Sequence, residues 1–521
     1  MSRPAAGPWR VRLQRLGDGR CAAPLLALAG GAVQPLAYTH TRLWPLPLLA
    51  LALLVARLDG SASRRRAELL GWCYGTAWLV AGVWWLYISM HHYGGLPALL
   101  SALAVGLLCG FLSLYLAAAA AAYAHGRCGR GSDALRFGAL FLLAELARGV
   151  LFTGFPWVAA GYSQVDSPLA ALAPWVGVYG IGAWMATAAA ALVLLLRRRA
   201  WVPAALAAAL ALAAASLPDR FTVPAGDFSV ALLQTDVKQN EKFDLDHMAE
   251  TLAWVAQHLV EARAELAVAP ETAVPLLPAQ LDEFAPGYWQ ALRQRFAAGG
   301  RAALVGVPLG DFDHGYTNSV AGLSAGPPYR YDKRHLVPFG EFIPWGFRWF
   351  TDLMHIPLGD FERGVANPPS FAVLGQRLAP NICYEDLFGE ALARRFADPA
   401  TAPTAFVNIG NIAWFGDTEA IPQHLNISRL RALEFQRPML RSTNTGATAI
   451  IDYRGRVTAE MAPYTRGVLR GRVQGRNGIT PYAWWAARAG LWPLGLGALA
   501  VLAVLDARRR LARGPGRPPA A

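Results

Sequence analysis

The chain is short of charge. Only 16% of its 521 residues are Asp, Glu, Lys or Arg, and 54% are hydrophobic. An ordinary soluble domain carries about 25% charged residues. The mean hydropathy is +0.28. These values exclude a protein that is soluble throughout and indicate a membrane protein with a polar insert. Lysine is scarcer still: of 48 basic side chains only Lys238, Lys242 and Lys333 are lysine. A desolvated lysine can lose its proton and an arginine effectively cannot, so a lysine here can mark a place where guanidinium would not serve. For Lys238 and Lys242 chance is the simpler reading. Cysteine is sparse, with five in all. Cys21, Cys73 and Cys109 lie in or beside apolar runs and Cys128 in a short basic loop, which leaves Cys383 alone in the polar insert. That excludes an internal disulfide there, and no CxxC or Cys/His cluster suggests a metal. The sequence also lacks internal repeats and long low-complexity tracts; only the tail from Gly514, rich in Pro, Gly and Ala, reads as disordered.

What is present is a series of eight apolar stretches, near 22–38, 43–57, 69–90, 97–123, 134–153, 170–196, 201–217 and 489–505. Each approaches the roughly 20 residues that cross a bilayer. The net charge of +13 does not point to nucleic acid, because the basic residues sit in short clusters beside apolar spans, which is the topology signal. Arg10, Arg12 and Arg15 precede the first span, Arg64, Arg65 and Arg66 follow the second, Arg197, Arg198 and Arg199 the sixth, and Arg508, Arg509 and Arg510 the last. Alternate loops are poor in Lys and Arg. The pattern predicts that both termini are cytoplasmic and that the polar insert lies on the outer face. No clear small-residue cleavage site follows the basic start, so the first span is read as a retained helix. The expected organisation is a membrane domain of about seven transmembrane helices over 1–219, a catalytic domain over 220–475, and a final helix with a basic tail over 476–521.

Within the insert, apolar runs at 228–237, 266–269, 303–307, 372–374, 405–407 and 447–451 predict strands, and helical spacing recurs at 250–264, 387–396 and 424–435. Strands alternating with helices predict a layered α/β domain. Glu271 follows one strand directly, Cys383 follows another apolar run, and Lys333 sits in a polar loop between them. Reactive groups at carboxyl ends of strands are the usual α/β arrangement. A thiol becomes a strong nucleophile when a base takes its proton, and a lysine can stabilise the thiolate and then an oxyanion. Alone, each is an ordinary surface Glu, solvated Lys or buried Cys; together they point to covalent acyl transfer.

At these residues the chain resembles the nitrilase superfamily, and more fully the apolipoprotein N-acyltransferase family of the bacterial cytoplasmic membrane. The resemblance rests on Thr153-Gly154-Phe155-Pro156-Trp157, Gln234, Pro270-Glu271-Thr272, the run Asp332-Lys333 through Gly340-Glu341, Cys383-Tyr384-Glu385, and Asn408. It implies eight transmembrane helices joined to a four-layer αββα sandwich. It further implies Glu271 as general base, Lys333 as oxyanion partner and Cys383 as acylated nucleophile. Glu341 is implied as an additional essential glutamate, and Tyr384 and Glu385 as residues shaping the pocket. Phe243 stands where the family would have a tryptophan. No cofactor is implied. The acyl donor is a phospholipid and the acceptor a diacylated apolipoprotein.

The segment 339–363 is too apolar for a solvated loop. Some of it reads as core packing; Trp345, Phe347 and Trp349 read as an arm at the bilayer surface, where Trp and Phe are favoured. Trp414 and Phe415 mark a second candidate loop. Glu145 and Arg148, three apart in the fifth span, can share a helix face, and His91 and His92 read as interfacial. Two rival readings remain open at this stage: a membrane-tethered amidase acting on small amides, and a non-catalytic scaffold.

Overall fold

The structure, a computed structural model, describes residues 22–216, 220–242, 244–346, 348 and 360–513. In lipid, backbone groups must pair within their own segment, so apolar runs become helices. Among the described residues three stretches, 41–59, 98–126 and 168–198, are long and apolar enough to cross a membrane. Two bent pairs, Arg64–Val83 with Leu86–Tyr93 (63°) and Pro481–Ala489 with Trp492–Ala512 (91°), raise this to five if each is one span. The other expected spans differ for local reasons. Ala22–Val33 ends before Gln34 and Pro35, and a separate turn covers Leu36–Thr39; proline cannot continue the hydrogen-bond ladder. Asp133–Val150 carries Asp133, Arg136, Glu145 and Arg148, and Trp201–Ser216 has 16 residues.

Among the described residues the insert forms two six-stranded sheets. The first has strand order β12-β1-β2-β3-β4-β5, with β1 Thr222–Gln234, β2 Leu266–Val268, β3 Ala302–Asp311, β4 Gly315–Leu323, β5 Tyr329–Asp332 and β12 Gly467–Gly478. The second has order β11-β10-β9-β8-β7-β6, with β6 Phe371–Val373, β7 Gln376–Ile382, β8 Ala405–Gly410, β9 Met439–Thr443, β10 Ala449–Ile451 and β11 Val457–Glu460. The centre of each sheet is parallel, β1-β2-β3 in one and β7-β8-β9 in the other. Val230, Leu232, Val268 and Leu304 of the first sheet pack against Leu378, Val407, Ile409 and Leu440 of the second. Helix Leu245–Glu261 covers the outside of the first sheet through Met248, Leu252, Val255 and Leu259. This is the expected αββα layering. β12 carries the block on to Gly478, past the expected boundary at 475, because its residues pair with β1 as far as Thr222↔Gly478.

The fourth layer, helix Ala420–Phe435, is buried along both faces. Its inner face meets Phe406 and Met439, and its outer face joins the core of the membrane helices. Polar contacts fix the docking. Asn426 donates to the Tyr38 carbonyl at 2.9 Å. Gln423 accepts from Trp157 at 2.8 Å and donates to the Gly82 carbonyl at 3.1 Å. Glu434 accepts from the Val178 amide at 2.7 Å, just after Gly177 leaves helical geometry at φ +65° inside Ala173–Arg198. An amide freed by that kink would otherwise be a buried, unsatisfied donor.

Candidate active site

Four segments converge at the carboxyl ends of their strands. Cys383 follows β7, Lys333 follows β5, Asn411 follows β8, and Glu271 lies in the turn after β2. Lys333 is 1% exposed and is wedged between two carboxylates. Its Nζ donates to Glu341 Oε1 at 2.8 Å and to Glu271 Oε1 at 3.3 Å. Asn318 on β4 bridges the same pair, with Nδ2 at 2.7 Å from Glu271 and 2.8 Å from Glu341. The second oxygen of Glu271 accepts from the Asn411 amide at 2.8 Å, and that of Glu341 from the Val337 amide at 2.8 Å. Every carboxylate oxygen in the cluster is therefore occupied. Burial alone would lower the Lys333 pKa, but Glu271 and Glu341 outweigh it and hold the ammonium well above its ordinary range. The Cys383 thiol is pushed up to about 12, first by burial and then by Glu271, with Lys333 and the Asn411 amide opposing. At rest the sulfur keeps its proton.

Close packing sets the base. Gly306 on β3 lies under the turn: a Cβ there would fall 2.2 Å from the Pro270 carbonyl oxygen and 2.8 Å from Glu271 Cα. Cys383 itself has φ +49°, a left-handed geometry that a residue with a Cβ adopts only when its surroundings enforce it. Glu385 supplies part of that enforcement. One of its oxygens accepts from the Arg334 and His335 amides at 2.8 and 3.2 Å, the other from the Ile382 amide at 2.8 Å and the Tyr331 hydroxyl at 2.5 Å. Its carboxylate thus braces the turn carrying Cys383. On the far side the Cys383 carbonyl accepts from Asn408 Nδ2 at 3.3 Å and faces His424 Nε2 at 3.1 Å. Arg441 lies 3.1 Å from His424 Nδ1. A guanidinium can only donate, so Nδ1 accepts, and the ring proton sits on Nε2 and points at Cys383. Burial and Arg441 keep this imidazole neutral by holding its pKa well below the usual value. Arg441 also pairs with Asp386 at 3.2 Å, and Ser428 bonds to both.

The membrane helices reach this network directly. The Tyr384 hydroxyl donates to the Gly154 carbonyl at 3.0 Å, and Trp157 stacks on His424 with ring centroids 5.6 Å apart. Glu145 and Arg148 form an ion pair at 2.7 Å. Arg148 donates to the carbonyls of Phe155 and Trp157 at 2.7 and 2.8 Å, and Glu145 accepts from the Ala160 amide at 2.8 Å. The Glu145–Arg148 pair thus holds the Gly154–Trp157 loop beneath the nucleophile turn.

The candidate lid residues are distributed differently. Trp345 is 98% exposed. Trp414 is partly exposed and meets Tyr93 edge-on at 5.7 Å. Phe415 packs on Trp85 and Trp157, at 4.3 and 6.3 Å between centroids, so it joins the insert to the membrane helices. Phe243, Phe347 and Trp349 lie outside the described residues. Gln234 bonds the carbonyls of Ala462 and Thr465. Sequence reasoning missed Asn318 and Asn411, and it misjudged Lys242. Lys238 is exposed and pairs with Glu241 at 3.0 Å, but Lys242 is buried, and its Nζ reaches the Glu271 carbonyl oxygen at 3.2 Å.

The same two-part division appears in comparisons with known proteins. Residues 30–191 match the family model of the apolipoprotein N-acyltransferase N-terminal domain, and residues 229–479 match the carbon-nitrogen hydrolase model. The chain is 54% identical over 482 residues to apolipoprotein N-acyltransferase of Verminephrobacter eiseniae, covering 86% of this chain and 89% of that one. The corresponding enzyme of Ralstonia nicotianae is 45% identical over 513 residues, covering 96% and 95%. That of Bordetella bronchiseptica is 41% identical over 548 residues, covering 94% and 98%. Since this likeness runs through both the helical region and the two-sheet domain, in the same order and along nearly the full length, the chain belongs to the apolipoprotein N-acyltransferase family.

Proposed function

We propose that the chain moves a fatty acyl group from a membrane phospholipid, through a thioester on Cys383, to the α-amine of a diacylglyceryl-cysteine lipoprotein. The observation that carries this reading is the buried cluster in which Lys333 binds both Glu271 and Glu341 beside the Cys383 thiol. A thiol near 12 is ionised to only about one part in 10⁵ at neutral pH, so a base must act as the bond forms. Glu271 takes the thiol proton while sulfur attacks the ester carbonyl carbon. The tetrahedral oxyanion is stabilised by the Lys333 ammonium, whose charge its carboxylate neighbours maintain. Collapse breaks the carbon–oxygen bond, and Glu271 returns the proton to the departing lysophospholipid oxygen. In the second half the acceptor amine attacks the thioester carbon and Glu271 removes a proton from nitrogen. The carbon–sulfur bond breaks and the thiol is restored. Glu341 holds Lys333, and Glu385 holds the nucleophile turn. Tyr384 shapes the membrane-facing wall, and the aromatic segments around Trp345 and Trp414 receive acyl chains.

The arrangement in the bacterial cytoplasmic membrane follows from the arginine clusters. Eight crossings, with the domains divided near 219 and 475, put both termini in the cytoplasm and the catalytic block in the periplasm. The test is mass spectrometry of full-length protein in phospholipid micelles. A fatty-acyl adduct on Cys383 that disappears when diacylated lipopeptide is added supports the reading. A folded Cys383→Ser variant that still transfers acyl groups overturns it, since an alkoxide is far harder to form than a thiolate.

A further inference from the structure

Lys242 occupies a costly position. It is 7% exposed, and an ammonium taken out of water must recover its lost hydration from neighbouring groups. It does so at the base. Its Nζ donates to the Glu271 carbonyl oxygen at 3.2 Å and to the Thr272 hydroxyl. Thr272 has φ +47°, a left-handed geometry that is a genuine outlier for a β-branched residue. The lysine therefore grips a turn that would otherwise relax. The charges at the site make a second point. Glu271 and Glu341 face only one cation within ion-pair distance among the described residues, Lys333. With Lys242 charged, the two carboxylates are matched by two ammonium groups; with it neutral, the site carries one uncompensated negative charge before the thiol has ionised at all.

We infer that Lys242 is a positioning residue for the general base: it fixes the Glu271–Thr272 turn and supplies the second positive charge against which the Cys383 thiol gives up its proton. The inference rests on the roles proposed above for Glu271 and Cys383. Burial draws Lys242 down to about 8, while Glu271 and Cys383 act to raise it. The other charged groups of the cluster are Lys333 and Glu341, and Lys238 and Glu241 belong to its own segment. Its charge should fade as pH passes about 8, and with it the help given to the thiol.

The test follows alkylation of Cys383 by iodoacetamide in the full-length protein in detergent, read by mass spectrometry between about pH 6 and 10. A thiol of high pKa reacts about tenfold faster per pH unit. The wild-type profile should bend below that slope across pH 8. Lys242→Arg keeps the charge permanent and should abolish the bend. Lys242→Met should react about tenfold more slowly at neutral pH, again without a bend. Thr272→Val removes the hydroxyl that accepts from Lys242 Nζ but leaves the lysine and its Glu271 contact; it should lower the melting temperature and leave the bend in place. A wild-type profile that is straight through pH 8 overturns the inference without any variant, as does a Lys242→Arg profile identical to the wild type. Failure of Cys383 to accept an acyl group from phospholipid would instead strike the catalytic reading itself.

Discussion

The Arg441–Asp386 pair offers a way to separate what holds the domain together from what prepares its nucleophile. Both side chains are essentially inaccessible, at 1% and 0%. Arg441→Met leaves the Asp386 carboxylate buried without its cation, and breaking one half of such a pair costs about 3–5 kcal/mol. For a unit of this size that lowers the melting temperature by roughly 6–20 °C. The loss should depend on pH. Burial already pushes Asp386 up to about 6, with Arg441 opposing, and loss of the guanidinium raises it further. A carboxyl whose pKa is higher folded than unfolded stabilises the fold at low pH, and that contribution disappears as pH rises through the folded value. The deficit should therefore be small near about pH 5 and grow toward about pH 8. The double variant Arg441→Met with Asp386→Leu removes both charges, and its stability should return to within about 1 kcal/mol of wild type, because an apolar replacement for a buried ion pair is often neutral. Catalysis should not return with it. Without the guanidinium only the Cys383 carbonyl selects the Nε2 proton, the ring loses the partner that orients it through Nδ1, and its bond to that carbonyl is weakened or lost. A lost hydrogen bond of this kind is worth about 1 kcal/mol or somewhat more, so acyl-enzyme should form about tenfold more slowly. The assay pairs a thermal melt with the initial rate of Cys383 acylation from phospholipid in the same detergent. A double variant that melts and acylates like wild type would refute the reasoning, leaving the network a purely structural one.

Other outcomes follow from single features of the site. Lys333→Arg should reduce acylation by about 3–4 kcal/mol of barrier, since the longer, planar guanidinium does not fit the fully buried slot that the compact ammonium fills between Glu271 and Glu341; activity within a few-fold of wild type in a rate assay would make Lys333 a generic cation. Gly306→Ala should lower the melting temperature and slow acylation together, because its methyl group would collide with the Pro270–Glu271 backbone; an unchanged rate of acyl-enzyme formation would count against tight placement of the base. Trp345→Ser should leave the melt unchanged, given its 98% exposure, and weaken use of two-chain phospholipid by about 1 kcal/mol or more of apolar contact, while attack on a short water-soluble ester survives. An impermeant thiol reagent on intact spheroplasts should label a cysteine placed at Gly326 and spare one at Ser132, and the reverse pattern would invert the proposed orientation.

Glu271, Lys333 and Cys383 were legible because each lies in a distinctive local run and carries a side chain with obvious chemistry. Of the strands that lead into them, β2 was read from its apolar run at 266–269, as β3 and β8 were at 303–307 and 405–407, but β5, with polar residues in a four-residue edge strand, and β7, interrupted by Arg377, Pro380 and Asn381, were not. Nor was β12, since its Arg and Gly residues mask an edge strand that pairs with β1 and puts little more than Val473 and Leu469 into the core between the sheets. Asn318 and Asn411 escaped notice because a neutral amide in a strand or loop carries no signal of what it will bridge. Lys242 looked accidental because its partner is 29 residues away in sequence, and only the folded turn brings the two together. Arg441 and His424 acquire their roles the same way, through contacts between β9 and the helix at 420–435. The eight apolar runs were visible as runs, but their breaks at Pro35 and their bends near Trp84 and Gly490 depend on how helices pack.

The double duty of helix 420–435 has a consequence for biogenesis. In a free-standing sandwich of this kind the outer helix would meet solvent on one side and could be synthesised, folded and tested as a separate part. Here both of its faces are claimed, one by a sheet and the other by helices that precede it by more than two hundred positions in the sequence. The insert therefore lacks a complete boundary until the earlier helices are in place. Those helices must be in place first, and only then does the insert find the surface that closes it. A truncated catalytic fragment would present Ile421, Leu425 and Tyr384 to water and should aggregate. The nucleophile turn, tied to Gly154 through Tyr384, is thus complete only when the earlier helices have packed against it.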